Sequence, residues 1–360
     1  MFQKIAYFIT PHGYGHGTRA VAVMAAILEQ FPQVRFEIFT RFPKFLIDQS
    51  MTVSYGYHEL ECDLGLVQKS ALEIDFPKSI ERLQGFFPFN DSDIQGLARK
   101  VKQLGCGAVF CDIAPMGIAV AKTAGLPSIL TENFTWDWIY GGYLQQAPGL
   151  QPFIDYLAEL DGQVTWRIQT DPIGVPRPGA FQTAPVVRKL RESREAIRRK
   201  LKVPKGIRLV MITMGGVGLQ LDFLHQLAPF KDCLFLIPGQ KTNFDQRILG
   251  LAWGDFYHPD LVAAVDVVIA KLGYSTFAEV YQAGVPFGYI ERDFFRESPA
   301  IARYIREHMP GAPFTESAFL DGSWLEGLSQ LLSMERDTRP KPNGADQIAQ
   351  FVAREIFPNT

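Results

Sequence analysis

A loop near the start of the chain combines glycine with histidine and is the first candidate for chemistry. It runs from Pro11 to Arg19 and reads Pro-His-Gly-Tyr-Gly-His-Gly-Thr-Arg. Glycines at alternate positions let backbone amides approach a ligand closely and open the helix that follows. The spacing differs from the G-x-G-x-x-G of dinucleotide sites, and Thr40 and Arg41 stand where an acidic residue would end the second strand. The loop therefore predicts a ligand site that is not a dinucleotide site.

The two histidines of this loop suit proton transfer, because an imidazole changes its charge near neutral pH. We predict that His16 is a general base, in preference to a histidine that only caps a helix or packs. For His12, a role at the ligand and a role in packing stay equally open.

Two loops of the second half suit a phosphate-bearing ligand. Gly215 and Gly216 follow a predicted strand, although a tight turn alone would explain them. Gly273, Ser275 and Thr276 lie where another strand leads into a helix. Ser275 and Thr276 suit the N-cap region, and the free amides and partial positive charge of a helix N-terminus suit a diphosphate.

An acidic residue follows this predicted helix start at the distance of about one turn. From there the carboxylate of Glu279 could accept both hydroxyls of a ribose, as acidic residues do in other nucleotide-binding folds. The spacing alone does not distinguish Glu279 from a glutamate on the helix surface.

Two further loops carry charged and aromatic residues. The segment Glu291–Glu297 contains Asp293 and two phenylalanines, which is typical of a sugar-binding loop or of an interface. The segment Tyr257-His-Pro-Asp260 precedes a helix, with Pro259 at a plausible first helical position. It is a candidate to flank a nucleobase.

Possible metal ligands have simpler explanations. Asp91-Ser-Asp93 has the D-x-D metal pattern but opens a predicted helix, where Asp is a favoured cap. The four cysteines lack histidines at zinc spacing and are expected to be free thiols. We expect neither a metal nor a cofactor.

The fold class predicted for the elements that carry these loops is α/β. Short apolar runs alternate with helical stretches, which is typical of βαβ units, and the runs lack the strict alternation of half-exposed strands. The predicted strands are Ile5–Ile9, Phe36–Phe39, Ala108–Cys111 and Ser128–Leu130 in the first half, and Arg208–Thr213, Leu234–Ile237, Val267–Ala270 and Phe287–Ile290 in the second.

The length of 360 residues favours two domains. Proline and glycine are dense at 171–179, which indicates a boundary. We predict an N-terminal domain over 1–170, a linker over 171–190, a C-terminal domain over 191–338 and a final helix over 345–357. A helix is also expected over Arg19–Gln30, and another over the basic stretch Lys189–Lys202, with a solvated face.

Charge and hydropathy limit the partners. A net charge of −2 argues against nucleic acid as the main partner. The apolar run Ile5–Ile9 is too short for a signal peptide or a membrane span, and no stretch of 18 apolar residues occurs. A cytoplasmic, soluble protein without a transmembrane segment is expected.

Several of these stretches together resemble the GT-B glycosyltransferases, in particular the glycosyltransferase-like domain at the N-terminus of plant arabinokinases. The matching stretches are His12–Arg19, Asn133–Tyr140, Ala184–Leu190, Tyr257–Asp260, Leu272–Thr276 and Arg292–Phe295. A more distant resemblance, carried by Gly15-His16 and Glu279, is to the bacterial N-acetylglucosaminyltransferases of cell-wall lipid synthesis. The kinase half of the plant proteins is absent, so sugar-kinase activity is not implied.

The resemblance implies two Rossmann-like domains whose parallel sheets face a cleft, with the final helix packed back on the N-terminal domain. It implies a hexosyl- or N-acetylhexosaminyltransferase that uses a nucleoside-diphosphate sugar, most simply a uridine one, without a metal. The acceptor, whether sugar, lipid or small molecule, is not identified. A sugar-nucleotide epimerase, a non-catalytic sugar-nucleotide-binding module and a homodimer stay open.

The expected sites divide between the two halves. Donor-binding residues are Gly215, Gly216, Gly239, His258, Lys271, Gly273, Tyr274, Ser275, Thr276, Glu279 and Asp293. The catalytic base is His16, and the residues on the acceptor side are His12, Gly13, Gly15, Arg19, Asp112, Asn133, Trp136 and Asp137.

Overall fold

The computed structural model describes residues 4–67, 74–214, 222–240, 247–252, 254–291 and 295–357. The chain divides into two compact units. Unit 1 extends to Val186 and resumes at Pro342, and unit 2 spans Val187–Lys341.

The described part of unit 1 contains a sheet of seven strands in the order β3-β2-β1-β4-β5-β6-β7. All neighbouring strands in it are parallel. The strands are β1 (Lys4–Ile9), β2 (Arg35–Thr40), β3 (Gly56–Glu59), β4 (Cys106–Asp112), β5 (Ser128–Glu132), β6 (Trp166–Thr170) and β7 (Phe181–Thr183). The helices are α1 (Tyr14–Gln30), α2 (Lys44–Asp48), α3 (Phe76–Phe86), α4 (Asp91–Gln103), α5 (Pro115–Ala124), α6 (Trp136–Gly141), α7 (Gln151–Asp161) and, after unit 2 in the chain, α14 (Gly344–Glu355).

The described part of unit 2 contains a second parallel sheet, with six strands in the order β10-β9-β8-β11-β12-β13. Its strands are β8 (Arg208–Thr213), β9 (Cys233–Pro238), β10 (Ile248–Leu251), β11 (Val267–Lys271), β12 (Phe287–Ile290) and β13 (Gly311–Phe314). Its helices are α8 (Arg194–Lys200), α9 (His258–Ala264), α10 (Tyr274–Ala283), α11 (Ser298–His308), α12 (Glu316–Asp321) and α13 (Leu328–Ser333). The predicted α/β class with parallel sheets is confirmed.

Both faces of the first sheet are covered, which explains why its strands are apolar without alternation. Ile5 and Tyr7 of β1 belong to the core cluster that includes residues of α1 and α14. On the other face, Phe8 lies so close to Gly117 of α5 that a Cβ at that glycine would be 2.9 Å from the Phe8 side chain.

Three predicted helix starts need correction. Helix α1 begins at Tyr14 and not at Arg19, because Gly13 adopts a φ of 80° and turns the chain directly into the helix. Asn90, whose side chain accepts a hydrogen bond from the Ser92 amide, caps α4, so the predicted cap Asp91 is its first residue. The basic stretch is helical only over Arg194–Lys200, because Ser193 caps that helix by accepting a hydrogen bond from the Ala196 amide.

The final helix α14 packs on α1 inside unit 1. Its buried Ile348, Ala349 and Val352 recur at helical spacing and join the core cluster of the first sheet. Phe351 stacks on Phe181 of β7, with ring centroids 4.8 Å apart.

Replacing Ile348 should therefore destabilise the protein strongly. Removing a fully buried isoleucine side chain costs about 2–5 kcal/mol, because a cavity remains where its atoms packed. We expect Ile348→Ala to lower the free energy of unfolding by that amount in a denaturant titration. Gln350→Ala, at an exposed position of the same helix, is the control and should change it by less than about 0.5 kcal/mol. Equal effects of the two substitutions would contradict the packing of α14.

Candidate functional site

Four polar side chains meet at the carboxyl edge of the first sheet, where ligands of open α/β sheets bind. Asp112 ends β4, Asn133 follows β5, and His16 and Arg19 lie in the first two turns of α1. Arg19 donates to both carboxylate oxygens of Asp112, from Nε at 2.8 Å and from one terminal nitrogen at 2.7 Å. Its other terminal nitrogen donates to the Asn133 side-chain oxygen at 2.6 Å. The structure thus brings together four predicted residues from three separate segments of the chain.

Asp112 keeps its negative charge although it is fully buried. Burial alone would raise the pKa of this carboxyl group, but the charge and hydrogen bonds of Arg19 and the contact with His16 outweigh it and lower the pKa. A two-pronged arginine–carboxylate pair of this kind is among the strongest side-chain hydrogen bonds.

The imidazole of His16 has two neighbours at the same nitrogen. Its Nδ1 lies 3.2 Å from Oδ1 of Asp112 and 3.2 Å from a terminal nitrogen of Arg19. If Nδ1 carries the proton, its hydrogen bond can go only to Asp112, since the guanidinium of Arg19 accepts no hydrogen bond. That tautomer leaves a lone pair on Nε2, as a general base requires, whereas a hydrogen bond from Arg19 to Nδ1 would place the proton on Nε2.

The other predicted histidine of this loop packs against aromatic residues. The His12 ring meets Trp136 edge to face, with centroids 5.2 Å apart. Gly65 lies so close to the His12 ring that a Cβ there would overlap with it. Trp136 is only 3% exposed, and Phe134 and Tyr140 also pack against it. Neighbouring rings therefore enclose Trp136, the predicted acceptor-side tryptophan, in this structure.

A carboxylate that the sequence analysis missed holds this tryptophan. Asp63, in the loop after β3, accepts hydrogen bonds from Trp136 Nε1 at 2.9 Å and from the Thr10 hydroxyl at 2.7 Å. Burial raises the pKa of Asp63 to about 6, although these hydrogen bonds and the nearby His16 act in the opposite direction. No motif marked Asp63, since it stands in an irregular segment far from the glycine loop in sequence.

A second group of buried charges lies at the ends of β5 and β6. Asp137 is buried, its Oδ2 lies 3.4 Å from the Arg177 guanidinium, and its Oδ1 has no hydrogen-bond partner among the described residues.

Glu132 accepts hydrogen bonds from Gln169 at 2.8 Å and from Arg167 at 3.3 Å. Burial raises the pKa of Glu132 to about 7 against the opposing effect of these donors. The sequence analysis missed Glu132, although its place at the end of a strand, just before Asn133, was an available signal.

Glu132 should make stability depend on pH. Its pKa is about 7 in the folded chain and 4.5 for the unperturbed group, so between these values the folded protein holds a proton that the unfolded chain has released. Stability should therefore fall as pH rises through this window, by up to about 1.4 kcal/mol per pH unit. Glu132→Gln keeps an oxygen for both donors and cannot ionise. Denaturant titrations from pH 4.5 to 7.5 should show the variant gaining stability relative to the wild type, and parallel curves would contradict this assignment.

In unit 2, helix α10 begins directly after β11 and carries several predicted donor residues. Lys271 ends β11, Gly273 is the N-cap, and Tyr274, Ser275 and Thr276 form the first turn. The N-cap of α10 is thus Gly273, whereas Ser275 and Thr276 were the residues expected in the N-cap region. A Cβ at Gly273 would meet no atom of the described residues within 4 Å, so none of these residues fills the space beside the helix N-terminus.

Glu279 of α10 is buried between the side chains of Arg188 and His258. Oε1 accepts a hydrogen bond from Arg188 at 2.8 Å, and Oε2 lies 2.5 Å from Nδ1 of His258. Burial would raise the pKa of Glu279, but the charges and hydrogen bonds of His258 and Arg188 lower it to about 2. The structure thus excludes the surface-glutamate alternative, and His258 contacts this carboxylate.

Of the remaining predicted donor residues, Gly239 is the one that lies within the described ranges. Gly239 follows β9 with a φ of 91° and donates its amide to the Leu251 carbonyl at 2.8 Å. Gly215, Gly216 and Asp293 lie outside the described residues. On the predicted acceptor side, Gly13 is the N-cap of α1 and Gly15 is the second residue of that helix.

The described residues contain neither a cluster of metal ligands nor a helix that could span a membrane. Within the ranges given above, no group of three His, Cys, Asp or Glu side chains could hold a metal ion. In that same part of the chain, every helix is too short or too polar to cross a membrane.

Comparison with known proteins yields one curated relative and many similar structures. No model of a known protein family matches the chain. L-arabinokinase of Arabidopsis thaliana is 26% identical over 364 residues, which cover 97% of this chain and 34% of that protein. The chain thus spans about a third of the length of this relative.

Several of the similar solved structures are glycosyltransferases. MurG of Acinetobacter baumannii superposes with a TM-score of 0.57 at 15% identity, covering 98% of this chain and 99% of that one. A UDP-glucosyltransferase from Polygonum tinctorium superposes with a TM-score of 0.67 at 14% identity, covering 99% of both chains. Both resemblances inferred from the motifs are confirmed: the chain has the GT-B fold with two Rossmann-like domains and is related in sequence to a plant arabinokinase.

Proposed function

We propose that this protein transfers a hexosyl or N-acetylhexosaminyl group from a nucleoside-diphosphate sugar to a hydroxyl group of an acceptor. The observation that carries the proposal is the contact between His16 and the buried, ionised Asp112 at the carboxyl edge of the first sheet. A histidine held at Nδ1 by a carboxylate has its Nε2 available to take a proton.

The proposed reaction begins at the acceptor. Its hydroxyl proton moves to Nε2 of His16 while its oxygen forms a bond to the anomeric carbon of the donor sugar. The bond between that carbon and the diphosphate oxygen breaks, and the nucleoside diphosphate leaves with the electron pair. Attack and departure on opposite sides of the carbon would invert the anomeric centre.

The donor is assigned to unit 2. The space that no described residue fills at Gly273 lies at the N-terminus of α10, whose partial positive charge and free amides suit the diphosphate. Lys271 can add a full positive charge, so the proposal requires no metal ion for the leaving group. A uridine nucleotide is proposed because one structural neighbour is a UDP-glucosyltransferase.

One observation favours a second candidate, a sugar-nucleotide-binding module without catalysis. Arg19 already occupies both oxygens of Asp112 and lies as close to Nδ1 of His16 as the carboxylate does. If Arg19 donates to Nδ1, the neutral imidazole carries its proton on Nε2 and is not a base. This candidate predicts donor binding without turnover.

A thermal-shift screen of the full chain tests the donor assignment. A uridine diphosphate at ~100 times its Kd should stabilise the fold by about 2.7 kcal/mol, and the other nucleoside diphosphates by less. Glu279→Gln should weaken this stabilisation, whereas Glu307→Gln, an exposed glutamate on α11, should not. Failure of every nucleoside diphosphate and nucleotide sugar to stabilise the wild type would refute the assignment.

A further inference from the structure

Arg188 comes from a segment that the sequence pattern assigned to the linker, yet it is buried in unit 2. The boundary between the units falls between Val186 and Val187, and Val187 and Arg188 are 4% and 6% exposed. A charged side chain at this depth is expected to have a specific partner.

The partners of Arg188 are Glu279, a predicted donor-binding residue, and Tyr257, whose segment is a candidate to flank the nucleobase. One terminal nitrogen donates to Oε1 of Glu279, and the guanidinium lies over the ring of Tyr257, 5.0 Å from its centroid. Arg191 stacks on the same ring at 4.1 Å, and its amide donates to Asp260 at 2.9 Å. The segment 188–191 thus contacts both the start of α9 and the carboxylate of Glu279 in α10.

Two features of this cluster indicate that it is built to receive a ligand. Nε of Arg188 is buried and has no hydrogen-bond acceptor among the described residues, which is rare for a buried donor. Oε1 of Glu279 contacts Arg188 and Oε2 contacts His258, and each carboxylate oxygen has two lone pairs. Two neighbouring hydroxyl groups could therefore donate to Glu279 while Arg188 and His258 stay in place.

We propose that Arg188 is a positioning residue of the nucleotide site, which orients the Glu279 carboxylate so that it reads the paired hydroxyls of a ribose. The inference rests on the proposed function, and the ligand class it names is a ribonucleoside diphosphate with both ribose hydroxyls free. Arg188 acts through Glu279, so its removal should reduce the distinction between ribose and deoxyribose more than it reduces binding of the diphosphate.

Calorimetric titration of the full chain with UDP and with 2′-deoxy-UDP measures this distinction. The wild type should bind UDP at least about tenfold more tightly, as expected for one hydrogen bond to a charged group. Arg188→Met should reduce the ratio to about two or less while 2′-deoxy-UDP binds nearly as before. Arg188→Lys, which keeps a cation beside the buried carboxylate, should restore part of the ratio and replaces Arg188→Met if that variant does not fold.

Arg198→Met is the matched control. Arg198 is a partly buried arginine of the same unit that holds Asp266 and two backbone carbonyls, so its loss should lower stability and leave the ratio unchanged. An unchanged ratio in both Arg188 variants would overturn the inference and leave nucleotide binding intact. A wild type that binds UDP without preference over the deoxynucleotide would also overturn it. A wild type that binds neither nucleotide would overturn the proposed function and the inference with it.

Discussion

His16→Ala is expected to lower the rate of sugar transfer by about 10²- to 10⁴-fold, the usual contribution of a general base. Affinity for the nucleoside diphosphate should stay within about twofold, because the proposed donor contacts belong to unit 2 and an unaltered contact keeps its binding energy. Initial rates of nucleotide release and calorimetric titrations on the same preparations give the two quantities.

Controls for this prediction come from the same unit. His58→Gln removes an imidazole that stacks on Phe39 and contacts Glu37, and it should leave the transfer rate unchanged. Asp112→Asn should also slow transfer, and the double variant should be little slower than His16→Ala, because the two residues act as one unit. Wild-type turnover in His16→Ala would place the base elsewhere.

Arg19→Met is expected to lower the free energy of unfolding by about 3–5 kcal/mol, because it leaves the buried charge of Asp112 unpaired. Adding Asp112→Asn removes that charge and should recover part of the loss. Both effects can be measured by denaturant unfolding at pH 7.

A surface arginine separates this effect from the general loss of an ion pair. Arg41 is half exposed and lies 3.4–3.6 Å from Glu59 and Glu61. Arg41→Met should therefore cost less than about 1 kcal/mol. If Arg19→Met is as stable as Arg41→Met, Arg19 does not hold Asp112 in the way described.

Sequence patterns predicted the fold because strands buried on both faces appear as continuous apolar runs, as β1 and β11 do. They also identified His16, Arg19, Asp112 and Asn133 as candidate site residues, since each stands in or directly after a motif or at the end of a strand. The structure brings these four side chains into contact. The start of α1 was missed, because the run of glycines predicts a loop, and only the φ of Gly13 shows that the helix begins beside it.

The residues that the patterns missed act through distant partners. Asp63 is 73 positions from Trp136, and Arg188 is 91 positions from Glu279. Arg188 also stands next to the basic stretch Lys189–Lys202, a pattern that is typical of solvated faces. Its burial results from the packing of unit 2, which a local pattern does not encode.

Product analysis tests the claim of sugar transfer most directly. The full chain is incubated with a UDP-hexose or a UDP-N-acetylhexosamine, with and without a panel of sugars, lipids and small alcohols, and the mixtures are resolved by mass spectrometry and NMR. We expect an acceptor enlarged by one sugar, an equal amount of UDP, and far less of both products with His16→Ala in the same time. An epimerised donor formed without acceptor, or a tightly bound donor recovered unchanged across the whole panel, would contradict it.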